Sequence, residues 1–156
     1  METFDKMPQL SLNSSSLGAT EGTIRARFTN ISELTEKSIR SQPMNIAGMD
    51  WSVMIRAEMD SKIKYLGVYL ARADNLPFPS WSCTTSLKIN LINPSTMFVA
   101  HSRELVGIVF TSANFPGWGY KKFILFDDLK KSTHSKGDAI LISIDVKAFP
   151  CNSISK

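Results

Sequence analysis

The sequence has few of the residues that build metal centres, disulfide frameworks and acid–base catalysts. Its 156 residues include two cysteines, Cys83 and Cys151, and two histidines, His101 and His134. The cysteines form no Cys-x-x-Cys motif, so we expect no zinc site and no disulfide framework, and neither a metal nor a cofactor. Two distant thiols favour a reduced protein of the cytoplasm or the nucleus, with a single disulfide as the alternative.

Long apolar runs and a secretory leader are also missing. No apolar stretch approaches the roughly 20 residues of a membrane helix, and the first residues, Met1 to Lys6, lack a basic start followed by an apolar core. The sequence therefore predicts no membrane partner.

The positive charge is modest and broken up. The chain carries 18 Lys and Arg against 14 Asp and Glu, a net charge of +4. The densest basic stretch, between Lys121 and Lys136, is interrupted by Asp127 and Asp128, whereas nucleic-acid binding favours basic groups clustered on one face. We expect no nucleic-acid partner.

Catalytic motifs are absent as well. The sequence contains neither a nucleophile elbow nor a phosphate-binding loop. The only adjacent acidic pair, Asp127 and Asp128, is explained by the start of a short helix. The sequence predicts a protein that is not an enzyme.

What the sequence does contain is a repeated period of two, which is typical of half-buried strands. Ile24, Ala26 and Phe28, for example, alternate with Arg25 and Arg27. Further alternating runs begin near Trp51, Tyr65, Ser86, Val106 and Ile140, and turn-forming residues separate them at Gly48, Asp60–Lys62, Asp74–Pro79, Asn93–Ser95, Pro116–Gly117 and Gly137–Asp138. Many short strands without long helices predict an all-β sandwich or barrel.

The same pattern sets the expected organisation of the chain. Residues 1–20 are poor in large apolar side chains, so we expect a flexible N-terminal tail. Residues 21–149 form the predicted domain, and residues 150–156 form a C-terminal tail. One helical turn is expected around Ser32–Leu34 and another after Asp127.

Several segments together resemble the MATH (meprin and TRAF homology) domain. The most specific is Trp118-Gly119-Tyr120-Lys121-Lys122-Phe123-Ile124 ahead of Asp128-Leu129, which is similar to the family's Trp-Gly-aromatic-x-x-Phe-Ile run before a short helix. The others, in family order, are Phe28–Leu34, Trp51–Ile55, Tyr65–Leu70, Trp81–Cys83 and Leu87–Asn93. The resemblance covers about residues 21–149, and the opening segment resembles nematode members that join MATH to a BTB domain.

The resemblance implies both a fold and a role. The implied fold is an antiparallel sandwich of about eight strands. In BTB-linked members the domain binds peptide segments of substrate proteins for a cullin-RING ubiquitin ligase, and the BTB domain holds the cullin. The alternatives are a stand-alone structural or self-associating domain and a TRAF-like signalling scaffold.

The resemblance also implies a peptide-binding groove. Tyr69, Phe110, Trp118 and Tyr120 match aromatic groove positions, and Leu87 stands where better-known adaptors carry a ring. The expected peptide-binding residues are thus Tyr69, Leu87, Phe110, Gly117, Trp118, Gly119 and Tyr120.

Two expectations about this groove can be checked against a structure. The rings of Tyr69, Trp118 and Tyr120 should face outward together, with Gly119 leaving room for a partner's backbone. Leu87 and Phe110 share the parity of core-facing neighbours, so a core position stays open for both. Trp51 and Trp81 are predicted to be structural.

Overall fold

A computed structural model describes residues 2–3, 20–46, 48–72, 81–111, 117–149 and 152–153. Within these residues the chain forms two antiparallel sheets and two short 3-10 helices, which confirms the predicted all-β sandwich. The strands are β1 Glu2–Thr3, β2 Thr20–Phe28, β3 Ile39–Arg40, β4 Met44–Ile46, β5 Met49–Asp60, β6 Ile63–Arg72, β7 Trp81–Ile92, β8 Val99–Thr111, β9 Gly117–Leu125, β10 Ile140–Ala148 and β11 Asn152–Ser153.

The strand order of the two sheets identifies β8 and β9 as end strands. The first sheet runs β1-β2-β10-β7-β11, with β8 pairing along β7. The second runs β3-β5-β6-β9, with β4 pairing beside β5. Among the described strands, β8 pairs only with β7 and β9 only with β6, so both are end strands.

The core lies between the two sheets and is built by the predicted alternation. Ile24, Ala26 and Phe28 on β2 are almost fully buried, as are Leu66, Val68 and Leu70 on β6 and the even-numbered residues Ile140 to Val146 on β10. Trp51 sits at the centre: its side chain is fully buried, its Nε1 donates to the Ile46 carbonyl at 3.0 Å, and its ring meets Phe110 edge to face at 5.1 Å. The structural role predicted for Trp51 is confirmed.

The predicted turns and helical segments follow local backbone chemistry. Ser61 and Lys62 both have positive φ (51° and 75°), which is what a two-residue hairpin between β5 and β6 requires. The 3-10 helices span Ile31–Glu33 and Phe126–Lys130, close to the two expected helical turns. The predicted turn around Asp74 to Pro79 lies outside the described residues.

One predicted strand face is wrong. The alternation of Val106, Ile108 and Phe110 predicts a shared face, but Val106 is 76% exposed while Phe110 is 1% exposed. The register between β7 and β8 shifts beside Gly107, whose φ of 67° is left-handed. This bulge breaks the period of two, so Val106 leaves the core side.

The first sheet extends further than the sequence predicts. Glu2–Thr3 pairs with β2, and Asn152–Ser153 pairs with Trp81–Ser82 of β7. Both dipeptides fall within the expected tails, so short strands lie beyond each predicted domain boundary.

The expected reduced state of the cysteines is also wrong. Cys83 is disulfide-bonded and 1% exposed in the core, and its Sγ lies 3.2 Å from Met49 Sδ. The other cysteine of the chain, Cys151, lies outside the described residues. Distance along the sequence is a poor guide here, because the pairing of β11 with β7 brings the C-terminal end of the chain beside Cys83.

Replacing Trp51 by Ala should destabilise the fold by about 3–5 kcal/mol, because the buried indole would leave a cavity. Its loss also leaves the Ile46 carbonyl without the indole donor. Urea unfolding measures this, with Trp118→Ala as the matched control. Since Trp118 is 37% exposed, its loss should cost less than about 2 kcal/mol. Equal losses in the two variants would contradict the assignment of Trp51 to the core.

Candidate functional site

The side chains of Trp118 and Tyr120 point into the gap between the two sheets. In the register of β6 and β9, Trp118 lies opposite Leu70 and Tyr120 lies opposite Val68. Residues opposite each other in an antiparallel pair project from the same face, and both Leu70 and Val68 face the core. Because β9 is an end strand, the two rings lie at the open edge of the sandwich.

Across this edge, Trp118 and Tyr120 of β9 face the core-side residues of β8, and we call the space between them the aromatic cleft. Trp118 is 37% exposed, while Tyr120 is half-buried and packs against the core. On the β8 side, Leu105 and Ile108 also pack partly buried against the core. Aromatic and aliphatic surface left open at a sheet edge suits the binding of an extended peptide.

Gly117 and Gly119 let β9 approach β6 unusually closely. A Cβ added to Gly119 would lie 2.0 Å from the Val68 carbonyl oxygen, and one added to Gly117 would lie 2.2 Å from the Leu70 carbonyl oxygen. Both neighbours are main-chain atoms, which cannot move aside cheaply. The expectation that Gly119 leaves room for a partner's backbone is therefore corrected: the room is taken by β6.

Tyr69 lies on the opposite face of the second sheet. It is 7% exposed and forms a small cluster with Met54 and Ala71, separate from the main core. Its partner on β9 is Gly119, not an aromatic residue. The expectation that Tyr69, Trp118 and Tyr120 share one outward face is therefore wrong, because consecutive residues of a strand alternate between faces.

A polar network holds the Tyr69 ring in place. The Tyr69 hydroxyl donates to Glu58 Oε2, which also accepts from Arg56 Nε at 2.6 Å. The Arg56 guanidinium lies 5.0 Å from the centre of the Tyr69 ring. Gly67 makes space for this arrangement, since a Cβ there would lie 2.8 Å from Glu58 Cγ.

The network shifts the pKa of each of its members. Burial, helped by the hydrogen bond to Glu58, raises the pKa of Tyr69 to about 12. Burial alone would raise the pKa of Glu58, but the hydrogen bonds from Tyr69 and Arg56 outweigh it and lower that pKa. The hydrogen bond to Glu58 raises the pKa of Arg56. The Tyr69 hydroxyl is thus committed to an internal acceptor and stays protonated.

Leu87 and Phe110 lie in the core rather than on a groove surface. Leu87 is 3% exposed on the same face as Ile89 and Leu91, and Phe110 is 1% exposed against Trp51. Both residues therefore occupy the core position that strand parity left open as the alternative to a groove position. Because these two side chains are buried, the accessible part of the expected peptide-binding site is Gly117 to Tyr120 on β9.

The side chains that join the two end strands are not predicted by the sequence. His101 Nε2 lies 2.8 Å from the Phe123 carbonyl oxygen, and Arg103 Nη1 donates to the Lys122 carbonyl at 3.2 Å. No periodic pattern marks such contacts, because they depend on two strands of different sheets. The Arg56–Glu58 pair was detectable, since residues two apart share a strand face.

Neither a metal cluster nor a membrane helix is found within the described ranges. No group of three or more His, Cys, Asp or Glu side chains lies close enough there to hold a metal ion. No helix in this part of the chain is long and apolar enough to cross a bilayer.

An antiparallel sandwich with an open aromatic edge belongs to the class of β-sandwich interaction domains. Comparison with family models identifies the family: the MATH domain model matches residues 24–146, and the chain belongs to the MATH family. MATH domains are protein–protein interaction modules and not enzymes. A comparison with curated proteins finds no match.

Replacing Gly119 by Ala should destabilise the domain by about 1–3 kcal/mol, because the added methyl group meets the Val68 carbonyl. Gly67→Ala is the comparison: its methyl group meets side-chain atoms of Glu58 and Tyr69, which can shift more easily than the main chain of Val68. We expect the smaller loss there, measured by urea unfolding. A Gly119→Ala variant as stable as the parent would show that β9 does not need this close approach.

The raised pKa of Tyr69 should make stability fall at alkaline pH. Below pH 10, the ordinary pKa of tyrosine, the hydroxyl is protonated in both the folded and the unfolded chain, and its contribution to stability is fully present. Between pH 10 and about 12 the unfolded chain loses the proton while the folded chain keeps it, so unfolding is favoured as the pH rises.

Tyrosinate absorbance of parent and Tyr69→Phe proteins measures this. The chain has three tyrosines, and the difference between the two titrations should show one transition near pH 12 in the folded protein. A difference transition at the ordinary value near pH 10 would show that the hydroxyl is not held as described.

Proposed function

We propose that this MATH domain binds a short extended peptide of a partner protein, which adds beside β9 and fills the cleft with apolar side chains. The observation that carries the proposal is the exposed Trp118 ring on β9, a strand that pairs only with β6 among the described strands. An end strand presents main-chain donors and acceptors to a partner strand, and alternate partner side chains can enter the cleft.

The magnitudes favour modest affinity. Burying one large apolar side chain contributes roughly 1.5–3 kcal/mol, and two such anchors plus main-chain hydrogen bonds must offset an association cost of about 4–15 kcal/mol. A single peptide should therefore bind in the micromolar range, near −8 kcal/mol. Tighter binding would come from several copies acting together.

We further propose that the domain is the substrate-recognition part of a BTB-MATH adaptor of the nematode type, which would connect to a cullin-RING ubiquitin ligase through a BTB domain. The resemblance of Phe28–Leu34 to such members supports this role. With this role we propose a location in the cytoplasm or the nucleus, where most thiols are reduced. The Cys83 disulfide is the structural feature that favours an oxidising compartment instead.

A second candidate function is self-association through the same edge. Trp118 is exposed on β9, which pairs only with β6 among the described strands, and an exposed aromatic ring beside an end strand also suits a second copy of the chain. Light scattering separates the two: a monomer that binds peptide supports recognition, whereas concentration-dependent assembly lost in Trp118→Ala supports self-association.

Trp118→Ala should weaken peptide binding at least tenfold, because the indole is the largest exposed anchor in the cleft. The probe is a synthetic peptide enriched from a random display library on the parent protein, and fluorescence anisotropy measures its affinity.

Phe98→Ala is the matched control, since it removes an exposed aromatic ring (76% exposed) just before the first residue of β8. Its affinity should equal that of the parent. Equal weakening by both substitutions, or none by Trp118→Ala, would place the binding site elsewhere.

A further inference from the structure

Side chains of β8 and β9 form hydrogen bonds between the edges of the two sheets. They are His101 and Arg103 from β8 and Tyr120 from β9. We call these three residues the edge bridge. His101 Nε2 meets the Phe123 carbonyl at 2.8 Å, Arg103 Nη1 donates to the Lys122 carbonyl at 3.2 Å, and the Tyr120 hydroxyl donates to the Glu104 carbonyl at 2.7 Å.

Ring contacts reinforce these hydrogen bonds. The Arg103 guanidinium lies 4.5 Å from the centre of the Tyr120 ring, and the imidazole of His101 packs edge to face on Phe123 at 4.9 Å. The contacts therefore cover the side of β9 from Tyr120 to Phe123, and each one joins a side chain of one sheet to the other sheet.

These contacts occupy the groups that an added strand would need. A strand joins a sheet edge through the outward-pointing N–H and C=O groups of the end strand. In the second half of β9 the carbonyls of Lys122 and Phe123 already accept hydrogen bonds from β8 side chains. The first half, Gly117 to Gly119, precedes these carbonyls and adjoins the exposed Trp118 ring.

We propose that the edge bridge ends strand addition at Tyr120 and so limits the part of an extended partner that pairs with β9 to a short segment. The partner engages β9 over about four residues, from Gly117 to Tyr120. This inference rests on the proposed peptide-binding function and adds which residues set the length of the bound segment. His101 and Arg103 are positioning residues, because they act on the edge and not on the partner's apolar anchors.

Removing the bridge should lengthen the binding site. In the double variant His101→Phe/Arg103→Met, the phenyl ring retains the packing on Phe123 and the methionine retains part of the stack on Tyr120, while both hydrogen bonds to β9 are lost. Lys88→Met is the matched control. Lys88 is exposed on β7, pairs in register with Glu104 and lies away from β9.

The probes are 12-residue peptides enriched from random display libraries on the parent and on the double variant, each shortened stepwise from both ends. For the parent and Lys88→Met, affinity should be unchanged down to about four or five residues. For the double variant, the longest peptides should bind roughly tenfold more tightly than the shortest, because two or three further main-chain hydrogen bonds form.

The outcomes separate the inference from the function on which it rests. If peptides bind but their minimal length and affinities are the same in the parent and the double variant, the edge bridge does not limit the site. If no peptide is enriched on any protein, the proposed function fails, and this inference fails with it. The single variant Arg103→Met, whose side chain is exposed, repeats the comparison if the double variant does not fold.

Discussion

The close approach of β9 to β6 is the constraint on which the rest of this structure depends. It requires that no side chain stand at positions 117 and 119, because the space is filled by the main chain of β6. With these glycines facing β6, the two aromatic residues of the segment, Trp118 and Tyr120, are turned toward the gap between the sheets. The glycines of the Trp-Gly-aromatic segment are therefore required in the first place for the packing of β9 against β6. Its consequence is an aromatic cleft at the edge of the sandwich.

The two faces of the second sheet have different chemistry. On the inner side, Trp118 and Tyr120 continue the apolar core to the surface. On the outer side, Tyr69 is held by Glu58 and Arg56, and its hydroxyl already has an acceptor. A partner entering at the edge meets apolar surface beside β9, which pairs only with β6 in the described part of the chain. A partner on the outer face would compete with a satisfied polar network. This contrast favours the edge.

Much of the fold could be predicted from the sequence, because a period of two identifies strands and their buried faces without knowledge of their partners. Trp51 and the alternating side chains of β2, β6 and β10 are placed correctly for this reason. The turns follow from residues that tolerate positive φ. Errors arise where a strand departs from regular geometry, as at the bulge beside Gly107.

The site was harder to predict, since it depends on relations between strands. Alternation correctly separates Tyr69 from Leu70, but it cannot say which residue of β9 lies opposite either of them. That register turns the Trp118 ring away from Tyr69. For the same reason, the sequence predicts neither the hydrogen bonds of His101 and Arg103 to β9 nor the proximity of the C-terminal strand to Cys83.

The most direct measurement is an NMR titration of the labelled domain with a bound peptide, following the backbone amides of all strands. We predict that the largest shifts and new protection from exchange fall on Gly117–Gly119, with smaller shifts at Leu105 and Ile108 on β8. Amides around Arg56, Glu58 and Tyr69 should change little. Shifts concentrated on that outer face, with β9 unaffected, would contradict binding at the edge of the sandwich.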